Sequence, residues 1–143
     1  MKISGFAYAI AAAVIWGLVY AIDQKILTKV SPFALIFIDS LIILLVSIPF
    51  IIFNPEPIRI LFDSGKENLW LVFISILLGA LATFFIFSGI KILGASTASI
   101  FEIAYPFFVI FFSFLLFRTN LNIYFFGGAI LIFAGSYVII RFG

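Results

Sequence analysis

The chain has 143 residues, of which 66% are hydrophobic and 10% are charged, and its formal net charge is +2. An ordinary soluble domain is about half apolar and about a quarter charged, so a soluble fold does not account for this composition. The absence of cysteine and histidine excludes disulfides, thiolate or imidazole metal sites and thiol nucleophiles. Basic residues are scattered singly, which argues against nucleic acid as a partner. We therefore expect a membrane protein with no cofactor, no metal and no enzymatic activity.

Five stretches of the chain are long and apolar enough to be membrane-spanning helices, which need about 20 mostly apolar residues each. Strands of a membrane barrel would instead be about ten residues long and would alternate apolar with polar residues. The sequence therefore predicts an all-α membrane protein with five transmembrane helices in the lipid bilayer, forming a single domain over residues 1–143. The predicted helices cover residues 4–22, 32–53, 69–90, 95–117 and 122–140.

The first predicted helix carries a small residue at every fourth position: Gly5, Ala9, Ala13 and Gly17. Residues four apart lie on one helix face, and in lipid such a face usually packs against another helix. Lining a cavity is the alternative. The N-terminus also has features of a signal peptide, but the apolar run continues past the small residues to Trp16, which favours a retained helix.

The connections between the predicted helices differ in length. Residues 23–31 link the first two helices, and Ser31 with Pro32 opens the second. Residues 54–68 have the sequence NPEPIRILFDSGKEN, with two prolines, one glycine and five charged residues, so we predict the longest loop there. Short turns join the remaining helices.

Two ionisable residues lie well inside predicted helices, Asp39 in the second and Glu102 in the fourth. A charge at mid-bilayer costs at least about 2.5–3.5 kcal/mol, so such residues usually face a partner, a cavity or a transport path, or stay protonated. Each lies roughly seven residues inside the start of its helix, about 10 Å at 1.5 Å per residue. Because the two helices cross in the same direction, we expect the carboxyls at similar depth, where they can share a site.

Glu102 is the stronger candidate because Ser99, Pro106 and Ser113 share its helix face. Pro106 has no amide hydrogen, so the carbonyl of residue 102 loses its helical partner and the helix is expected to bend there. Transporters place substrate and ion sites at such irregular backbone. The alternative is a protonated Glu102 that hydrogen-bonds to a neighbouring helix and only stabilises packing.

Aromatic residues are further candidates for lining a cavity, although at such depths they are more often packing residues or interface anchors. Asp39 also has an alternative, as a polar packing contact or a residue near the headgroups. The predicted substrate or coupling residues are Glu102, Asp39, Ser99, Tyr105, Pro106, Trp16 and Tyr20.

Three stretches of the chain resemble a known family, the EamA domain of the drug/metabolite transporter superfamily. One, AAVIWGLVYAIDQKILTKVSPFAL, resembles its first helix with the following Ser-Pro; LGASTASIFEIAYPFFVIFFSFLLF resembles its fourth helix; and YFFGGAILIFAGSYVI resembles its Gly-rich last helix. Together they extend over nearly the whole chain. The resemblance implies a multi-pass transporter of the cell membrane, with a cytoplasmic N-terminus if the usual family orientation applies.

Three features depart from the family pattern. Arg118 and Thr119 stand about where relatives have a Gly-Glu pair, and Asp39 stands where an arginine is frequent. Roles of those positions in relatives are therefore not transferred. Most relatives contain two five-helix halves of inverted topology, whereas this sequence contains one half.

A site between inverted halves needs a second half that faces the opposite way, so we expect a homodimer, with an antiparallel arrangement as one option. The basic residues divide equally, with Lys2, Arg59, Lys66 and Arg118 on one membrane side and Lys25, Lys29, Lys91 and Arg141 on the other. An equal division leaves orientation weakly specified, because the positive-inside rule depends on an excess. The alternative is a single orientation, with a parallel dimer or a partner chain that supplies the other half.

These features together predict a secondary transporter of a small organic metabolite, drug or lipid-linked precursor, coupled to protons through Glu102. A carboxyl in an apolar setting favours its protonated form and can exchange a proton during transport. A non-transporting subunit or scaffold, with a structural Glu102, is the first alternative. An enzyme acting on lipids would need clustered acids, bases or metal ligands, and the sequence offers isolated carboxyls.

Overall fold

The computed structural model describes residues 2–118 and 122–142, which form seven helices and no strand. Five helical spans in this part of the chain are long and apolar enough to cross a membrane, which confirms the predicted fold class. The fourth span, Ala95–Phe117, consists of two helices in succession. The helices are α1 (Lys2–Leu27), α2 (Pro32–Phe53), α3 (Glu56–Asp63), α4 (Lys66–Leu93), α5 (Ala95–Glu102), α6 (Tyr105–Phe117) and α7 (Ile123–Phe142).

Helix α1 is longer than predicted, because residues 23–27 are helical rather than part of the linker. Packing accounts for this extension. Leu27 is fully buried, and the Gln24 Oε1 atom accepts a hydrogen bond of 2.6 Å from the backbone amide of Ala95. The predicted entry to α2 is confirmed, since the Ser31 hydroxyl accepts a hydrogen bond of 3.2 Å from the Ala34 amide and Pro32 follows it.

The loop predicted for residues 54–68 is wrong in part, since this segment contains α3 and the start of α4. Its prolines stand at the beginning of α3, where a missing amide hydrogen costs no helical bond. Glu56 in the first turn also interacts favourably with the helix dipole. Ile58 and Leu61 are half-buried, and α3 contacts α4, so this short helix packs beside the membrane-spanning α4.

The turn between α4 and α5 consists of Gly94 alone, with φ at +82°, a conformation that favours glycine. A Cβ atom at this position would lie 3.4 Å from Gln24 Oε1. Gly94 therefore allows α1 to approach the turn closely enough for Gln24 to bind the first amide of α5.

The buried core lies where α1 and α4 end and where α2 and α5 begin, which places it towards one side of the membrane. We call this region the packed end. Its buried hydrophobic residues are Leu27, Leu35, Phe87, Ile90, Ala95 and Ala98. Most large apolar side chains elsewhere on the described helices are exposed and available to lipid.

The small residues of α1 do not pack against another helix of this chain. A Cβ atom added at Gly5 or Gly17 would meet nothing within 4 Å, and Ala9 and Ala13 line a cavity instead. The favoured packing interpretation is therefore wrong within this chain, and the cavity alternative holds for the two alanines.

Helices α6 and α7 pack mainly on each other and on α5. The rings of Phe107 and Phe133 meet edge to face with centroids 6.1 Å apart. Arg118, which departs from the family pattern, follows the last residue of α6 and has a left-handed backbone conformation with φ at 51°. Thr119, the other residue of that departure, lies outside the described residues.

Candidate functional site

The first candidate site is a cavity of about 670 Å³ between α1, α4 and the junction of α5 with α6, which we call the Glu102 cavity. It brings together five of the seven predicted site residues. Apolar side chains and small alanines form most of its remaining wall. The five are Trp16, Tyr20, Ser99, Glu102 and Tyr105.

Glu102 is held from α1 rather than from its own helix. The Tyr20 hydroxyl donates a hydrogen bond of 3.0 Å to the Glu102 Oε1 atom. Tyr20 in turn packs against Trp16, with ring centroids 5.6 Å apart. The contact places a carboxyl and a phenol hydroxyl side by side in an open cavity, where either group can exchange its partner for a ligand.

The backbone is irregular at Glu102, as the proline predicted. Helix α5 ends at Glu102, and α6 begins at Tyr105. The junction has shorter-range bonds, with the Ala104 amide bound to the Phe101 carbonyl at 3.3 Å and the Phe107 amide bound to the Ala104 carbonyl at 3.0 Å. The span is therefore interrupted where its acidic side chain enters the cavity.

Pro106 itself does not line the Glu102 cavity. It is the second residue of α6, where proline is compatible with a helix start. Its side chain lines a separate cavity of about 250 Å³ between α6 and α7. Pro106 acts on the site through the backbone, and it was correctly predicted only in that respect.

Asp39 lines a second cavity, of about 740 Å³, between α1, α2 and α4, which we call the aspartate cavity. The predicted depths permitted a site shared by Asp39 and Glu102, but the two residues line different cavities. The two cavities adjoin, since Trp16, Thr83 and Phe87 are part of both walls. Helices α1 and α4 line both cavities, whereas α2 contributes Asp39 to one and α5 contributes Glu102 to the other.

Asp23 was missed by the sequence reasoning, which assigned it to a linker. It lies on α1, lines the aspartate cavity and is only 6% exposed. Its Oδ2 atom is buried without a hydrogen-bond partner among the described residues. The helical spacing of Trp16, Tyr20 and Asp23 would have indicated one shared face had α1 been extended far enough.

Metal binding is not supported by the acidic residues present. Across residues 2–118 and 122–142, no group of three His, Cys, Asp or Glu side chains is placed to hold a metal ion. The acids instead form a contact with a phenol in one cavity and a pair of aspartates in the other. These carboxyl groups can accept a proton, or a hydrogen bond donated by an organic ligand.

The fold and these cavities define a multi-pass membrane protein with ionisable groups lining openings between its helices. A family model described as the EamA-like transporter family matches residues 3–141, and the chain belongs to that family. Members of the family are membrane transporters of the drug/metabolite type and not enzymes. Neither the comparison with curated proteins nor the comparison with solved structures gave a match.

Proposed function

We propose that this protein is a secondary transporter of the cell membrane that moves a small organic metabolite, drug or lipid-linked precursor through the Glu102 cavity. The observation that carries the proposal is the hydrogen bond between Tyr20 and Glu102 at the interrupted span. Broken helices that expose an acidic group to a cavity are the usual place for substrate and coupling-ion sites in transporters.

Proton coupling would operate through the same contact. A hydrogen bond donated to a carboxylate favours its charged form. A substrate that takes the Tyr20 hydroxyl away from Glu102 would change the hydrogen bonding of the carboxyl that is proposed to carry the proton. Binding and protonation become linked because both depend on one donor.

The substitution Glu102→Gln tests this function. Glutamine keeps the size and hydrogen-bonding capacity of the side chain but cannot titrate. Proteoliposomes loaded with the pH dye pyranine would receive mixtures of amino acids, nucleosides or hydrophobic amines. We expect compound-dependent proton movement with the natural protein and its loss with Glu102→Gln.

The matched control is Glu67→Gln, which removes a carboxylate from the first turn of α4, outside the Glu102 cavity. This variant should behave like the natural protein. Compound-dependent proton movement that survives Glu102→Gln would contradict the coupling role and leave Glu102 as a structural acid, as expected for a scaffold or subunit.

A second five-helix half would complete the transport pathway, and we propose that a second copy in antiparallel orientation supplies it. Two observations support this arrangement. Small residues of α1 line the Glu102 cavity, and most large apolar side chains away from the packed end are exposed, which leaves apolar surface for a second copy to cover. The equal division of basic residues between the two membrane sides also permits insertion in both orientations.

Orientation is measurable with a reporter fused to the C-terminus. We expect signal from both sides of the membrane for the natural sequence. Replacing both Lys25 and Lys29 with glutamine should shift the population towards one orientation, because the basic residues on the other membrane side would then be in excess. The control exchanges both lysines for arginine, which keeps the charge. A single orientation that does not respond to the glutamine substitutions would contradict the antiparallel proposal.

A further inference from the structure

Two acidic side chains line the aspartate cavity, and no basic side chain among the described residues lines it with them. Asp23 lies on α1 and is 6% exposed, and Asp39 lies on α2. Both carboxyls line the same cavity. Two carboxylates that are close together repel each other, and burial removes the water that would otherwise solvate them.

Nearby lysines do not supply the missing positive charge. The Lys91 Nζ atom donates a hydrogen bond of 3.0 Å to the Val30 carbonyl, beyond the end of α1. Lys25 lies two residues after Asp23, and side chains at that spacing do not face each other on a helix. The buried Asp23 Oδ2 atom has no hydrogen-bond partner in the part of the chain that the structure describes. A cation bound in the cavity would relieve the repulsion between the two carboxylates.

The rest of the cavity wall selects among cations. Aliphatic side chains form most of it, joined by the ring of Trp16 and the hydroxyls of Ser40 and Thr83. An inorganic cation such as Ca²⁺ takes about six to eight oxygen ligands and would leave the aliphatic part of the wall without a partner. The volume of about 740 Å³ is in the range of small-molecule sites. A ligand with an ammonium group and an apolar body matches this wall, because the ammonium suits the two aspartates and the body suits the aliphatic side chains.

We propose that the aspartate cavity binds a hydrophobic organic cation, with its ammonium group between Asp23 and Asp39 and its apolar body against the wall near Trp16. The ammonium would donate hydrogen bonds to the carboxylates, and the indole ring would add a cation–π contact. This inference rests on the proposed transport function, since the aspartate cavity adjoins the Glu102 cavity at Trp16, Thr83 and Phe87, and the bound amine would be the compound that is transported.

Binding to the purified, detergent-solubilised protein tests the proposal without a transport assay. The probes are 1-naphthylmethylamine, which is a cation, 1-naphthalenemethanol, which is neutral, and 1-naphthaleneacetate, which is an anion with the same ring system. Calorimetric titration should give saturable binding of the amine and much weaker binding of the other two compounds. Asp23→Asn and Asp39→Asn should each weaken amine binding by about tenfold or more, because each removes a charge-assisted hydrogen bond.

Asp63→Asn is the matched control, because it removes the same kind of charge at the end of α3, outside the aspartate cavity. It should leave amine binding unchanged. A further variant, Ser40→Lys, keeps both aspartates but introduces an ammonium into the cavity wall, so it should also block the amine. Elution as a single species and an unchanged melting temperature would show that each variant is folded.

Two results would overturn the proposal. One is amine binding no tighter than that of the neutral alcohol. The other is amine binding that Asp23→Asn, Asp39→Asn and Ser40→Lys all leave unchanged. Failure of the proposed transport function is a separate outcome, because Glu102→Gln is judged by proton movement in vesicles and the amine site by binding in detergent.

Discussion

At the scale of single residues, the contact between Tyr20 and Glu102 is the feature that joins two helices at a candidate site. Hydrogen bonds to charged groups contribute about 1.5–3 kcal/mol, so loss of the donor is measurable. The Tyr20 ring also packs against Trp16, and this packing does not depend on the hydroxyl. The chemical and packing roles of Tyr20 can therefore be separated by one substitution.

Tyr20→Phe removes the hydroxyl and keeps the ring. We expect compound-dependent proton movement to fall by about tenfold, since about 1.4 kcal/mol corresponds to a factor of ten. In a Glu102→Asp background, which keeps a titratable carboxyl on a shorter side chain, the same substitution should have little further effect, because the two residues act through one hydrogen bond. Additive effects in this double-mutant cycle, measured in pyranine-loaded proteoliposomes, would show that Tyr20 and Glu102 act independently.

The residues of the Glu102 cavity were predictable because they lie in apolar runs, where a polar or aromatic group stands out. The first predicted helix contains Trp16 and Tyr20, and the fourth contains Ser99, Glu102 and Tyr105. Nothing in the sequence indicates that the Tyr20 hydroxyl binds Glu102. Asp23 was not predicted as a site residue, for the opposite reason. It stands in the sequence DQK, which has the polarity of a linker, and only packing at the end of α1 makes this segment helical.

At the scale of elements, the five spans were predictable because each is long and continuously apolar, and lipid excludes most other structures for such runs. The ends of the helices were less predictable. Proline and charge in residues 54–68 indicated a loop, yet Pro55 and Pro57 are at the start of α3, where proline is favourable. The loop was predicted from the composition of the whole segment, whereas the effect of a proline depends on its position within a helix.

The junction between α5 and α6 shows the same dependence on position. Pro106 predicted an irregular helix near Glu102, and the span is interrupted at residues 103 and 104. The cavity that Pro106 lines, however, lies on the side of α7. A missing amide hydrogen can be derived from sequence, but the direction in which the helix turns depends on the neighbours that it meets.

At the scale of the whole molecule, the helices are held together at the packed end and expose most of their other surface. The sequence does not show this asymmetry, because residues facing lipid and residues facing a core are equally apolar in a membrane protein. The assignment of Asp39 and Glu102 to separate cavities also depends on which helix surfaces face one another, and the sequence does not show this. Their depths could be estimated from helix length, but which helices enclose each cavity depends on how α1, α2, α4 and α5 are arranged.

The central claim is that the Glu102 cavity is a water-accessible pathway, and the accessibility of residue 99 to a water-soluble reagent tests it most directly. The chain has no cysteine, so Ser99→Cys introduces a single thiol into the cavity wall. Leu44→Cys is the control, since Leu44 is 54% exposed on α2 and is available to lipid. Thiols react with such reagents as thiolates, which form in water rather than in hydrocarbon.

The experiment measures labelling by a positively charged methanethiosulfonate supplied to both sides of proteoliposomes. Our account predicts that Ser99→Cys is labelled rapidly and Leu44→Cys slowly. The further substitution Glu102→Gln should slow labelling at residue 99, because the cavity loses a negative charge that attracts the reagent. Labelling of Ser99→Cys that is as slow as that of Leu44→Cys would contradict the account, because the cavity would then be closed to water.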